Sequence, residues 1–338
     1  ALYGDELTIA LDAKSLLETG RDQTGASFPL TFSMGAGRPP GYVYGSTPFI
    51  EFFGQSALGV RGLSILSGLG VIFLLYIFGK MFFSSKVGLI AAALTAISPW
   101  ALSLSRGGFE AHFALFLAML SVLTFLVAEK KKWLYIISAL TFGLSIHTYP
   151  TFKLTLPLIF ILTAWYKGRI SSLSFFKKPS LISVSATVII IASIILSLSQ
   201  TFIGGSETRF WSINIFARED LRKDLTENIN IDRNADLLPR LVSQLFHNKL
   251  IEYPLILGEA YLKNFSVDFL FLHGDKNPRH NMMTAGGFYL VEMLTILLGL
   301  VFLFKKRREF ILTLGWILIA PTASVLLLEP HFLRNSFM

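Results

Sequence analysis

Long apolar runs, separated by short polar segments, dominate the chain from position 58 onward. Eight of these runs approach the length of about 20 mostly apolar residues that a membrane helix requires. They show no alternation of period two, which would indicate half-buried strands. The sequence therefore predicts an all-α polytopic membrane protein with about eight transmembrane helices. The predicted spans lie near 58–79, 87–105, 111–128, 133–149, 151–166, 181–203, 286–304 and 310–328.

Basic residues follow alternate spans. The loops after the first, third, fifth and seventh spans hold 13 of the 30 Lys and Arg residues. These residues are Lys80, Lys86, Lys130, Lys131, Lys132, Lys167, Arg169, Lys177, Lys178, Lys305, Lys306, Arg307 and Arg308. Short basic loops stay on the cytoplasmic side of a membrane. The remaining segments, which carry most of the other acids and histidines, are therefore predicted to face outward.

Composition agrees with this class of protein. The chain is 53% hydrophobic and 15% charged, whereas soluble domains carry about 25% charged residues. Its net charge of +8 is mostly a topology signal, so nucleic acid is not an expected partner. The absence of cysteine excludes disulfides and thiolate metal sites.

The spans divide the chain into four predicted regions. These are an outer catalytic loop with an amphipathic helix (1–57), a transmembrane bundle (58–203), an outer loop region (204–285) and a C-terminal pair of spans (286–338). Residues 217–234 are expected to be partly helical.

The amphipathic helix is predicted to follow the acidic pair Asp5 and Glu6. Its expected apolar face is Leu7, Ala10, Leu11 and Leu17, and Gly20 is a natural stop.

Asp5 and Glu6 allow two interpretations. Asp5 can cap the helix while Glu6 complements the helix dipole. Alternatively, a carboxylate held ionised at the helix start can accept a proton or bind a divalent cation. Arg38, in an uncharged turn before two prolines, is either an interfacial anchor or a bidentate phosphate ligand.

Three further outer segments carry ionisable side chains. The first, between the second and third spans, holds Arg106, Glu110 and His112, with an Arg106–Glu110 ion pair as the structural alternative. The second, 272–281, holds Arg279 as an anion contact. It also holds His273, Asp275 and His280, whose irregular spacing is a weak metal signal. The third holds His331 and Arg334, which are either phosphate or proton-transfer groups or plain interfacial anchors.

The order of the motifs resembles a known family. An acidic pair is followed by "RPP", "SPW…SRGGFEA", "NPRHN" and "PHFLR", with "ETRFWSINIF" around Arg209 between the third and fourth. This order resembles the bacterial C-type (GT-C) membrane glycosyltransferases related to protein mannosyltransferases and lipid A aminoarabinose transferase, the family 39 group. Such enzymes transfer a sugar, with inversion, from a polyprenyl or dolichyl phosphate to a lipid, glycan or protein acceptor. They act on the outer face of the cytoplasmic membrane.

The resemblance also implies roles for residues. Asp5, beside Glu6, matches the catalytic carboxylate, and Glu110 matches a second acidic residue of the family. Arg38 matches the cation that holds the donor phosphate, with Arg279, His331 and Arg334 as further phosphate contacts. Arg106 and His280 are candidate substrate contacts. No cofactor is implied with certainty, and a divalent cation is possible. Because family members begin and end with further spans, the chain is expected to be a fragment.

Two other functions are compatible with the sequence. One is a transporter or flippase for lipid-linked sugars, although such proteins usually show repeats and ionisable groups near the bilayer midplane. The other is a non-catalytic member of the family that serves as a scaffold.

Overall fold

The regular structure is helical throughout the described chain. The computed structural model describes residues 2–33, 37–168, 180–202, 219–235, 237 and 239–338. Within these ranges, only two isolated β-bridges supplement the helices. The predicted all-α fold is confirmed. The helices are α1 (Gly4–Thr19), α2 (Gly41–Phe53), α3 (Ala57–Phe82), α4 (Ser85–Ile97), α5 (Pro99–Ser105), α6 (Glu110–Val127), α7 (Leu134–Ile146), α8 (Phe152–Tyr166), α9 (Leu181–Phe202), α10 (Glu219–Ala235), α11 (Arg240–Phe246), α12 (Lys249–Lys263), α13 (Leu290–Phe304) and α14 (Arg307–Ile319).

Three helices of the described chain are long and apolar enough to cross a membrane. They are α3, α6 and α9, and each coincides with a predicted span. Shorter apolar helices, α7, α8 and α13, occupy three more of the predicted spans. The break around Pro150 is confirmed, since α7 ends at Ile146 and α8 begins at Phe152. A total of eight spans stays a prediction.

The predicted span 87–105 is wrong as a single helix. It consists of α4 and α5, which meet at an angle of 61°. Pro99 lacks a backbone N–H and disfavours helical geometry in the residue before it, so Ser98 is extended and the helix breaks there.

The polar segments gather at two ends of the bundle, as alternating sidedness requires. Lys167, after α8, lies 3.5 Å from Glu129, after α6. Lys306, after α13, lies over the ring of Phe83, after α3. The loops predicted to be cytoplasmic therefore meet in pairs, while Arg169, Lys177, Lys178 and Arg209 lie outside the described residues. Which end faces outward stays a prediction.

Helix α1 lies where the amphipathic helix was predicted, but its buried face differs from the predicted one. Helix α1 ends at Gly20 as expected, with a left-handed φ of 67°. Ile9, Ala10 and Leu16 are buried against α2 and α3, whereas Leu7 and Leu17 are 48% and 42% exposed. Of the four residues of the predicted face, Ala10 is the one that is buried, and the buried Glu6 also belongs to the inner face.

The contact between α3 and α4 depends on two glycines. A Cβ on Gly79 would lie 2.6 Å from the Cα of Gly88, and a Cβ on Gly88 would lie 2.5 Å from the backbone oxygen of Tyr76. Since the opposing atoms belong to the backbone, a side chain at either position could be accommodated only if one whole helix moved away from the other.

Replacement of Gly79 by valine should therefore destabilise the protein. Overpacking of this kind typically costs roughly 1–3 kcal/mol. The thermal unfolding temperature of the purified protein in detergent measures the effect. Gly299→Ala in α13, where nothing lies within 4 Å of the added Cβ, is the matched control and should not lower that temperature. Equal unfolding temperatures for Gly79→Val and the wild type would contradict this packing.

Candidate functional site

Four segments distant in sequence converge at the end of the bundle that is predicted to face outward. They are the first turn of α1, the turn before α2, the start of α6 and the loop 273–281. Together they bring Asp5, Arg38, Glu110 and Arg279 into one cluster of alternating charge.

Glu6 is fully buried beneath this cluster. Its two oxygens accept hydrogen bonds of 2.6 and 2.8 Å from the guanidinium of Arg61, on α3. Oε1 also accepts from the backbone N–H of Gly108 at 2.9 Å. These bonds fix the start of α1 against α3 and against the turn before α6. A catalytic role for Glu6 stays a prediction, but both of its oxygens are engaged and neither is exposed.

Arg38 is also buried, and its guanidinium contacts three different segments. Its Nε lies 2.6 Å from Oε1 of Glu110, and its Nη1 donates to Oγ1 of Thr8 at 2.7 Å. Its Nη2 lies 3.5 Å from Oδ1 of Asp5. The turn that carries Arg38 is held by two backbone hydrogen bonds of 2.9 Å with Phe32. Glu110 thus neutralises and orients the buried guanidinium.

Asp5 is the exposed carboxylate of the cluster. It is the second residue of α1, since Tyr3 and not Asp5 is the N-cap residue. Its side chain is 61% exposed and lies between two guanidinium groups, 3.5 Å from Arg38 and 3.6 Å from Arg279. Both contacts are long, so Asp5 is held near two cations without being tightly bonded to either.

Tyr3 supports the second of these cations. The guanidinium of Arg279 lies over the Tyr3 ring, 5.4 Å from its centroid. Burial raises the pKa of Tyr3, and the nearby carboxylates of Glu6 and Asp5 raise it further. The phenol therefore stays neutral at physiological pH, and its ring is an apolar platform for a cation–π contact.

Arg106 does not pair with Glu110, so the predicted alternative of an intra-turn ion pair was wrong. Its guanidinium instead donates to the backbone oxygens of Asn281, at 2.9 Å, and Pro278, at 3.4 Å. Glu110 is already paired with Arg38. Arg106 thus fastens the loop 273–281 to the end of α5, and its predicted role as a substrate contact stays untested.

A second cluster lies in the same loop. Oδ2 of the buried Asp275 is 3.4 Å from Nδ1 of His280 and 3.5 Å from Nδ1 of His331. Burial lowers the pKa of His331 to about 3, and Arg334 and His280 lower it further, although Asp275 acts in the opposite direction. The predicted phosphate contact of His331 stays a prediction. His273 lies outside the cluster and pairs with Asp268.

Trp100 of the "SPW" motif holds the turn that carries His331. Its ring stacks on Phe332 with 4.7 Å between centroids, and its Nε1 donates to the Phe332 oxygen at 3.2 Å. Arg334 lies in this turn and is half-buried, without an ion pair to any described residue. Its predicted phosphate contact stays a prediction.

A cavity of about 510 Å³ lies inside the bundle. Its walls come from α3 to α6, α13 and α14 and are mostly apolar. Trp100 and the buried His112, two residues after Glu110, also line it. The apolar cavity thus extends along the bundle from Trp100 and His112 to Phe82 and Leu126, near the other ends of α3 and α6.

Sequence reasoning missed two residues of the site. Arg61 lies within the first predicted span, where an isolated arginine in an apolar run was a signal for a buried partner. Thr8 carried no such signal, because a threonine on a surface helix is common.

Part of the chain resembles a known protein family. Residues 37–197, a little under half of the chain, match the family model of dolichyl-phosphate-mannose-protein mannosyltransferases. None of the curated protein sequences matches the chain. Among solved structures, ArnT from Cupriavidus metallidurans in the apo state is similar over 99% of this chain and 72% of its own, with 13% identity and a TM-score of 0.46.

The helical bundle with a charged cluster at one end defines a polytopic membrane protein. The matched segment includes Arg38 and Glu110 and agrees with the resemblance seen in that part of the motif order.

Arg61→Met should strongly destabilise the protein, because it leaves the Glu6 carboxylate buried without its cation. Removal of one partner of a buried ion pair typically costs about 3–5 kcal/mol. Thermal unfolding in detergent measures the loss. Lys14→Met, which breaks the exposed Lys14–Glu18 pair, is the control and should cost no more than about 1 kcal/mol. Similar losses for both variants would contradict the role given to Glu6.

Proposed function

We propose that this protein transfers a sugar from a polyprenyl-phosphate donor to a lipid, glycan or protein acceptor, with inversion, at the outer face of the cytoplasmic membrane. One observation carries the proposal: the exposed carboxylate of Asp5 lies within 4 Å of two guanidinium groups, those of Arg38 and Arg279. A base beside a phosphate-binding pair of cations is the arrangement that transfer from a glycosyl phosphate requires.

The two arginines supply the electrostatic part of the mechanism. As the bond between the sugar and the phosphate breaks, negative charge develops on the leaving polyprenyl phosphate. Arg38 is oriented in advance by Glu110 and Thr8, so it needs little reorganisation to stabilise that charge. Arg279, more exposed and resting on Tyr3, can close onto the phosphate from the other side.

Asp5 supplies the general base. It accepts the proton of the acceptor hydroxyl, whose oxygen bonds to the anomeric carbon while the sugar–phosphate bond breaks and polyprenyl phosphate leaves. A single displacement inverts the anomeric centre and needs one carboxylate, whereas a retaining double displacement needs a nucleophile as well. Glu110 and Glu6 are occupied by Arg38 and Arg61, which leaves Asp5 as the carboxylate of this cluster free to move a proton.

Binding of the donor would release Asp5 for this role. Asp5 is exposed and both of its contacts with guanidinium groups are long, so each contact is weak; the fully exposed type of pair, as with Arg279, contributes about 0–1 kcal/mol. A phosphate group makes stronger, bidentate bonds with arginine and so displaces the carboxylate from them. The bound donor thus separates the base, Asp5, from the two arginines that bind the leaving phosphate.

The apolar cavity supports a lipid-linked donor. It begins beside α6, whose first residue is Glu110, and extends between α3, α13 and α14. A volume of about 510 Å³ with mostly apolar walls suits part of a prenyl chain, whose phosphate would then lie at the charged end.

Asp5→Asn should abolish sugar transfer, because the amide cannot take the acceptor proton. We expect a loss on the order of 100-fold or more in kcat, as for other general bases. The measurement uses membranes that carry the protein and a panel of radiolabelled polyprenyl-phosphate sugars, with and without chelator. Glu18→Gln is the matched control, since Glu18 is an exposed carboxylate on the same helix and should leave transfer unchanged. Normal transfer by Asp5→Asn would refute Asp5 as the base.

Arg279→Gln should weaken donor binding without impairing folding, because the guanidinium is half exposed. A hydrogen bond to a charged group contributes about 1.5–3 kcal/mol, so we expect the donor KM to rise by roughly tenfold or more. Initial rates at varied donor concentration measure this change. An unchanged KM would remove Arg279 from the phosphate site. Lys276→Gln, in the same loop but paired with Glu329, is the control.

A further inference from the structure

We propose that Asp275, His280 and His331 form a binding site for one divalent metal ion of the zinc class, which joins the loop 273–281 to the turn around Phe332. The three side chains can each offer one ligand atom, and these atoms lie within 4.8 Å of one another. This site is separate from the Asp5 cluster and takes no part in the proton transfer proposed above.

The spacing of the ligand atoms fits a tetrahedral ion. Zinc bonds to histidine nitrogen and carboxylate oxygen are about 2.0–2.2 Å long, so neighbouring ligands of a tetrahedral site are roughly 3.3–3.6 Å apart. Nδ1 of His280 and Nδ1 of His331 lie 3.4 and 3.5 Å from Oδ2 of Asp275. Two imidazoles and one carboxylate suit zinc better than the oxygen-seeking magnesium or calcium.

The histidine nitrogens lack alternative partners. Nδ1 of His280 and Nδ1 of His331 are buried and make no aligned hydrogen bond within the described chain. His280 is only 8% exposed and His331 is half-buried, so water does not readily compensate. Buried polar atoms without an aligned hydrogen bond are costly, and a metal ion bound by both nitrogens and by the carboxylate oxygen that they face would satisfy all three.

The carboxylate is held as metal ligands usually are. Oδ2 of Asp275 accepts the backbone N–H of Phe332, and Oδ1 accepts that of Asn277, both at 2.9 Å. The Asn281 side chain donates to the Asp275 backbone oxygen at 2.9 Å. Hydrogen bonds around a ligand fix its orientation and raise metal affinity. The stacking of Trp100 on Phe332 likewise fixes the orientation of the turn that carries His331.

The site would serve to position Arg279. That residue precedes the ligand His280, and its guanidinium reaches Asp5. The ring of His280 also packs edge-on against Phe109, beside Glu110. A metal ion would thus stiffen the loop that carries the second guanidinium of the Asp5 cluster.

A second group of candidate ligands provides a competing explanation for any bound metal. Asp232, His247 and Glu252 also lie within reach of one another, but none of them is buried. A variant of this second group, His247→Gln, is therefore included in the same experiment.

Metal content of the purified full chain tests the proposal. The protein in detergent is stripped with chelator, dialysed with micromolar ZnCl₂, desalted and analysed by elemental mass spectrometry, and its zinc affinity is measured by calorimetry. We expect one equivalent in the wild type, in His273→Gln and in His247→Gln. His273 is the matched control, being an exposed histidine of the same loop that pairs with Asp268. His280→Gln and His331→Gln should weaken zinc binding by roughly 100-fold or more. Loss of a residue that only hydrogen-bonds to a metal ligand already lowers metal affinity by about 10–100-fold, and loss of the ligand itself should cost at least as much.

Two readouts keep the test independent of sugar transfer and of folding defects. Chelator should lower the unfolding temperature of the wild type and of His273→Gln but not that of His331→Gln. Cobalt(II) bound to the wild type should give the visible absorption of a tetrahedral site with nitrogen and oxygen ligands. Failure of the wild type to bind zinc, full binding by His331→Gln, or loss of the metal in His247→Gln would each overturn the proposal.

Discussion

The buried carboxylate of Glu6 is the constraint on which the charged end of the bundle depends. A carboxylate removed from water must be paired and hydrogen-bonded, and Arg61 with the Gly108 N–H meets that need. Because these partners come from α3 and from the turn before α6, their bonds fix the position and rotation of α1. Asp5 is the residue before Glu6 and therefore points in a different direction around the helix axis. Its side chain is thereby left at the surface.

The same principle organises Arg38. A buried guanidinium requires an anion, and Glu110 is that anion at 2.6 Å, with Thr8 as a neutral acceptor. The close ion pairs Glu6–Arg61 and Arg38–Glu110 thus lie in the buried part of the cluster. The longer contacts, those of Asp5, lie at its surface. The two buried ion pairs preorganise the site. The exposed carboxylate of Asp5, whose contacts are weaker, can still exchange one partner for another.

Several features were predictable because they depend on local chemistry. Apolar run length located α3, α6 and α9, and Pro150 and Gly20 ended helices as proline and glycine commonly do. The motif order brought Asp5, Arg38, Glu110 and Arg279 together as candidates. The errors arose where partners are distant in sequence: the Arg106–Glu110 pair and the face of α1 depend on which side chains meet across the bundle.

The sequence by itself determined that this is a helical membrane protein whose motif order resembles the GT-C group, because hydrophobic length, charge alternation and motif order are properties of the chain alone. Only the tertiary structure decided which carboxylate is buried and which is free, and that Asp275 is joined by His331 rather than His273. The reason is physical: the role of an ionisable group follows from its burial and its partners. Burial and partners depend on contacts between segments that are distant in sequence, which no local pattern records.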